Sequence, residues 1–181
     1  MKKSVLVVSS SLRSGSNSEL LAKSAMDGAL AAGHDVRWLS LKEKKLGFCK
    51  GCLACQSTGK CVIRDDMDEL LPLVKDADVL ILATPVYYYG MSGQLKTFLD
   101  RCNPLYIAEY RFREVYLLTT SAEDGEEVYQ TTKAGVQGWI DCFPKASLAG
   151  LVSGGGVNNP NEVSFHPELL KRARKLGEQI G

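Results

Sequence analysis

The chain has 181 residues, 22 of them basic and 21 acidic, for a formal net charge of +1. That length fits one domain with a full core, and the near-balance of charge excludes the broad basic face that nucleic acid requires. No apolar stretch approaches membrane-spanning length, and the apolar run after Lys3 is too short for a secretory signal, so the expectation is a cytoplasmic protein with small-molecule or protein partners.

The apolar, β-branched run 3–9 predicts a strand covered on both faces. Residues 10–18 make a polar loop. A helix over 18–32 follows, with the small residues Ser24, Gly28 and Ala32 four apart on a face that can approach a sheet closely. Gly33 is its stop. A second strand covers 35–39, and a cysteine-rich loop occupies 48–62. Asp66 and Glu69 have capping-box spacing, whereas Pro72 disturbs the helix they would open unless it starts late. The run A-D-V-L-I-L-A at 77–83 is the clearest buried strand, and 84–90 is a loop. Ser92 then caps a helix with Leu95, Phe98, Leu99 and Cys102 at helical spacing.

Strands at 114–120 and 146–152 flank a helix at 126–142 that keeps Val128, Thr132, Gly135 and Trp139 on one side. A closing helix at 167–180 carries Leu169, Ala173, Leu176 and Ile180 as a stripe. Five strands alternating with helices predict a single α/β domain over 1–181. The expected architecture is a flavodoxin-like doubly wound sheet of five parallel strands, order 2-1-3-4-5, with helices on both faces. A ligand belongs at the carboxyl ends of strands 1, 3 and 4.

The loop after the first strand, Ser9 to Ser18, lacks the glycines of a dinucleotide fingerprint and the Gly-Lys-Ser/Thr of a P-loop. It offers hydroxyls, Arg13 and the Asn17 amide just before a helix. Free N–H groups and the helix dipole favour a phosphate there, and Arg13 adds charge-assisted bonds. The plainer alternative is a polar loop with an N-cap at Asn17 or Ser18. After the third strand come Pro85, Val86, Tyr87, Tyr88, Tyr89 and Gly90. Three tyrosines at a sheet edge suit either a planar ring or a subunit contact, with Gly90 and Gly93 allowing close backbone approach.

Cys49, Cys52, Cys55 and Cys61 form C-x2-C-x2-C-x5-C. Four thiols so close in sequence suit an iron–sulfur cluster or zinc, or form a metal-free loop of free thiols. Gly51 and Gly59 allow the loop to fold back tightly. Cys102 and Cys142 read as small buried hydrophobes on helix faces, and His34 and His166 as residues without a chemical role.

Three segments occur together and in order: S-x-R-x-x-x-N-S at 11–18, the cysteine run, and T-P-V-Y-Y-Y-G-M-S-G-Q-L-K-T-F-L-D-R at 84–101. Over roughly residues 4–152 the chain resembles the NADPH-dependent FMN reductase family, and within it the iron–sulfur flavoproteins. The resemblance implies that Ser11, Arg13, Asn17 and Ser18 bind the FMN phosphate. It places Pro85, Val86, Tyr87, Tyr88, Tyr89 and Gly90 against the isoalloxazine, with Ser121, Ala122 and the rest of the fourth-strand loop at its other edge. It makes Cys49, Cys52, Cys55 and Cys61 the ligands of a [4Fe–4S] cluster. Two departures are Ser10, where relatives usually carry glycine, and the acidic loop Glu123-Asp124.

The resemblance further implies an FMN-dependent oxidoreductase that takes electrons from NAD(P)H and passes them to a small-molecule acceptor or a redox protein. The cofactor carries that chemistry, so no side chain is assigned as an acid–base catalyst. A homodimer or homotetramer is expected. The competing readings are an electron carrier without its own substrate, against which the neutral charge weighs, and a zinc-stabilised binding domain without flavin.

Overall fold

The computed structural model describes residues 1–181. The chain forms six strands, β1 (Ser4–Ser9), β2 (Asp35–Ser40), β3 (Val79–Tyr87), β4 (Gly90–Met91), β5 (Glu114–Thr120) and β6 (Ser147–Gly154), and six α-helices. The helices are α1 (Asn17–Ala31), α2 (Ala54–Thr58), α3 (Met67–Asp76), α4 (Gly93–Arg101), α5 (Glu126–Ile140) and α6 (Pro167–Glu178). The long strands pair in parallel in the order β2-β1-β3-β5-β6, and β4 pairs with β3 alone. Relabelled without β4, this is the expected 2-1-3-4-5 flavodoxin-like order, so the ends of β1, β3 and β5 form the crevice where the winding reverses.

The alternation along each strand divides the core. Leu6, Val8, Leu80, Leu82 and Leu117 face a layer built by α3, α4 and α5. Val5, Val7, Ile81, Ala83 and Leu118 face α1 and α6. A period of two sends neighbours to opposite faces, which is why these strands are apolar throughout.

Four expectations need correction. The small-residue face of α1 meets a helix, not the sheet: a Cβ on Gly28 would collide with the Arg174 carbonyl of α6, and one on Gly177 with the Ala25 carbonyl. Leu21, Ala22, Ala25 and Ala29 make the sheet contact instead. The Asp66 capping box does not form. Asp65 Oδ1 accepts the Met67 N–H at 3.0 Å, while Asp66 Oδ2 accepts the Lys45 N–H at 2.8 Å. The helix α3 runs through Pro72. Pro72 and Asp68, whose carbonyl loses its partner, are both exposed, so water replaces that bond. Cys142 is exposed, whereas Cys102 is buried as expected, with its thiol pushed to a raised pKa by that burial.

His34 is tied into the fold. His34 Nδ1 accepts the Lys3 N–H at 3.2 Å, and its Nε2 lies 3.1 Å from the Ile180 carbonyl, joining the first strand to the end of the chain. No helix is long and apolar enough to cross a membrane.

Candidate functional site

Where β1, β3 and β5 end, their loops enclose a cleft of about 290 Å³. Ser11, Arg13 and Asn17 come from the first loop, Pro85, Val86, Tyr87 and Tyr88 from the third-strand turn, and Ser121 and Ala122 from the β5 loop. Nine residues expected from sequence are thus brought to one wall. Ser18, Tyr89 and Gly90 are not on it. Ser18 is fully buried, with its Oγ 3.0 Å from Ser16 Oγ. Gly90 pairs with Tyr87 in the β3–β4 hairpin.

At the first-loop end of the cleft, the N-cap of α1 is Ser16, which accepts the Glu19 N–H at 3.3 Å, rather than Asn17 or Ser18. The backbone N–H groups of Ser11, Leu12, Ser14, Gly15 and Ser16 find no acceptor within the chain. With Arg13 as the one charged side chain in the wall, this end suits an anion at a helix N-terminus. The Asn17 amide has a different task. It donates to the carbonyls of Val157 and Asn159 at 3.3 and 2.9 Å and accepts the Val163 N–H at 3.0 Å. Arg13 Nη1 also reaches the Asn158 carbonyl. Together they pin the segment after β6 against the first loop, and Val157 and Asn158 complete the wall.

Thr120, at the start of the fourth-strand loop, lies in the wall as that loop was expected to, whereas Val157, Asn158 and Ser16 were not assigned to the site from sequence. Val157 and Asn158 directly follow the glycine run Gly154-Gly155-Gly156, a weak signal of close backbone approach after the last strand. That run acts through Gly154 and Gly155: the Gly154 carbonyl accepts the Ser121 N–H at 3.0 Å, and Gly155 packs against Asp124.

The tyrosine turn is a hairpin. Val86 pairs with Met91 and Tyr87 with Gly90. Tyr88 and Tyr89 both have positive φ, 48° and 64°, as the two central residues of a type I′ turn do. The left-handed backbone of the turn therefore falls on side-chain-bearing residues, which favour it poorly. Two contacts hold the turn. The Tyr89 carbonyl accepts Thr132 Oγ1–H at 3.2 Å, and the Tyr89 hydroxyl donates to Glu123 at 3.2 Å. The bond to that carboxylate and its charge raise the phenol's pKa. The acidic β5 loop is thereby tied to the hairpin across the mouth of the cleft, and Tyr88 stands fully exposed at the rim.

The cysteine loop lies beside α4. All four of its cysteines are free thiols, Cys55 buried, Cys61 half-buried, Cys49 and Cys52 exposed. Gly51 and Gly59 take positive φ, as the tight fold-back requires, and so does Leu53 at 59°. Cys49, Cys52, Cys55 and Cys61 line one small pocket with Leu53 and Arg101. Asn103 Nδ2 donates to Cys55 Sγ at 3.1 Å. No three Cys, His, Asp or Glu side chains anywhere in the chain are grouped so as to hold a single metal ion.

Residues 3–144 match the family described as NADPH-dependent FMN reductase. An iron–sulfur flavoprotein from Archaeoglobus fulgidus is 41% identical over 98% of this chain and 78% of its own length. Another from Methanocaldococcus jannaschii is 43% identical over 57% of this chain, and the match spans 53% of that relative. Among solved structures, an NAD(P)H:quinone oxidoreductase from Methanothermobacter marburgensis superposes with a TM-score of 0.78 at 16% identity, covering 99% of this chain and 96% of that one. An azoreductase from Bacillus anthracis superposes at 0.73 and 17% identity, covering 98% and 100%. At such identities these two likenesses speak for the fold alone.

Proposed function

The chain belongs to the NADPH-dependent FMN reductase family of oxidoreductases, and from that premise we propose that it passes electrons from NAD(P)H, through FMN in the cleft, to a small-molecule or protein acceptor, with a [4Fe–4S] cluster in the cysteine loop as the relay. The observation that carries this reading is the convergence of the β1, β3 and β5 loops on one cleft with unpaired N–H groups and Arg13 at one end and Pro85 to Tyr88 at the other. A flavin phosphate fits the first end and a planar ring the second.

Bound FMN would supply the hydride and electron chemistry. Arg13 and the first-loop N–H groups would fix the phosphate. Pro85 to Tyr88 would orient the ring and exclude water from one face, and Ser121 and Ala122 would border its other edge. The Tyr89–Glu123 bond would hold the two loops together over it.

For the cluster, the donor chemistry fits. Four cysteines line one pocket with no histidine in its wall, though their thiols are not drawn together as metal ligands, and soft thiolates select such centres. The name iron–sulfur flavoprotein carried by the relatives supports the same choice. Exposed Tyr88, Phe48 and Leu53 support a homodimer or homotetramer, in which a second copy covers the tyrosine and cysteine loops.

The test is the visible spectrum of anaerobically purified protein, with iron and labile sulfide assayed on the same sample and FMN titrated into the stripped protein. Flavin bands with about four irons per chain are expected. Arg13→Ala should weaken FMN binding by roughly 10- to 100-fold, the worth of a charge-assisted hydrogen bond. A protein that takes up no FMN overturns the reading. Flavin without iron overturns the relay alone.

A further inference from the structure

Arg101 is the last residue of α4 and its side chain is entirely buried. Nη1 donates to Asp65 Oδ2 at 2.6 Å and to the Gly47 carbonyl at 2.7 Å, and Nη2 to Asp65 Oδ1 at 3.0 Å and the Ile63 carbonyl at 3.3 Å. Asp65 Oδ2 in turn accepts the Gly47 N–H at 2.7 Å. Gly47 precedes Cys49, and Ile63 and Asp65 follow Cys61. One ion pair therefore closes the base of the loop that contains all four cysteines.

Two further observations go beyond a clasp. Arg101 lines the pocket that the four thiols share and sits against Cys61. Its Nε is buried without any hydrogen-bond partner. A buried guanidinium N–H left unpaired is costly, and an acceptor in that pocket would satisfy it. Thiolates and the sulfides of a cluster are acceptors of that kind, and an electron arriving on the centre adds negative charge that a fixed cation favours.

Resting on the proposed cluster, we infer that Arg101 is a positioning residue for it, donating from Nε to sulfur on the Cys61 side and raising the centre's reduction potential. Asp65 opposes that effect, because its carboxylate neutralises part of the guanidinium charge.

The experiment compares the wild-type protein with Arg101→Gln, Arg101→Lys and Asp65→Asn. All are purified anaerobically, assayed for iron and labile sulfide, and titrated at equilibrium with the reduced centre followed by electron paramagnetic resonance. The charge argument predicts opposite signs. Arg101→Gln shifts the reduction equilibrium about tenfold toward the oxidised state, about 59 mV lower for a one-electron couple. Asp65→Asn shifts it the other way, and Arg101→Lys stays nearer the wild type. A purely structural clasp would lower iron content in both Arg101→Gln and Asp65→Asn without moving their potentials apart. Unshifted potentials, or shifts of one sign, overturn the inference. Should Arg101→Gln lose its iron, the direction of the Asp65→Asn shift decides alone. A wild-type protein without iron or sulfide removes the cluster reading itself, whereas iron present with unmoved potentials removes only the role of Arg101.

Discussion

Ser10 Oγ and Ser92 Oγ lie 2.9 Å apart in the buried floor between the first loop and α4. Ser10 Oγ donates onward to the Ala83 carbonyl at 2.9 Å. Ser92, the N-cap of α4, accepts the Leu95 N–H at 3.3 Å, and its own N–H donates to Thr84 Oγ1 at 3.0 Å. Ser10 thus links the first loop to the start of α4 and the end of β3 beneath the cleft. Replacing Ser10 by Gly removes the acceptor of the Ser92 hydroxyl. A stability loss of about 1–3 kcal/mol is expected for a buried hydroxyl left unsatisfied. Urea unfolding of Ser10→Gly, Ser92→Ala and the double variant should show losses that fail to add, as for residues in contact.

The hairpin predicts opposite effects of one substitution. Tyr88 has a φ of 48° and a fully exposed ring. Tyr88→Gly relieves a left-handed residue of about 1–2 kcal/mol, offset in part by the greater backbone freedom of glycine in the unfolded chain. The apo protein should therefore melt at the same temperature or slightly higher. FMN binding should weaken, because Tyr88 lines the cleft and its ring stands free at the rim. A variant that loses stability while binding FMN normally would contradict the placement of Tyr88 in the site.

Acid should unfold the protein partly through two aspartates. Burial opposes ionisation of Asp65, but hydrogen bonds from Arg101, Gly47 and Met67 and the Arg101 charge outweigh it and hold its pKa below the ordinary value. Asp78 is lowered in the same way, burial being outweighed by the Ser4 N–H and by Arg111 and Lys3. A depressed folded pKa gives stability that is fully present above the unfolded carboxylate value, about 3.9. It is lost as pH falls through the folded pKa. Denaturant midpoints should hold above about pH 5 and drop steeply below about pH 4. Asp65→Asn should flatten that drop. At neutral pH it should cost about 3–5 kcal/mol, the usual loss when a buried ion pair is broken from one side.

The α1–α6 crossing should be intolerant of a single methyl group. A Cβ at Gly28 meets the Arg174 backbone, which cannot rotate away as a side chain can. Gly28→Ala should therefore destabilise by about 1–3 kcal/mol or more, despite the better helix propensity of alanine. At Gly138 on α5, where a Cβ meets nothing, the same change should be neutral or stabilising. Thermal melts of the two variants make the comparison.

The strands, their order and most of the cleft were legible in the sequence, because a doubly wound sheet fixes by topology which strand ends meet. Once 3–9, 77–83 and 114–120 read as buried strands, Ser11, Pro85 and Ser121 had to converge. Short-range geometry was legible too: Gly33, Gly51 and Gly59 all take the positive φ expected of them.

What the sequence did not determine depends on partners distant along the chain. Whether Asn17 faced a ligand or the segment 157–163 was decided by the return of the chain after β6. Whether Gly28 met a sheet or a helix was decided by where α6 lay, and the Asp66 side chain, at the N-cap position, is engaged by the Lys45 N–H while Asp65 accepts the Met67 N–H. Arg101 shows the same limit most clearly. On α4 it reads as an ordinary cation near a helix end, and only the folding of the cysteine loop against that helix buries it beside Cys61. Local spacing determines which residues share a face of one element; the hydrogen-bond partners that satisfy a buried group come from other elements, and only the tertiary structure assigns them.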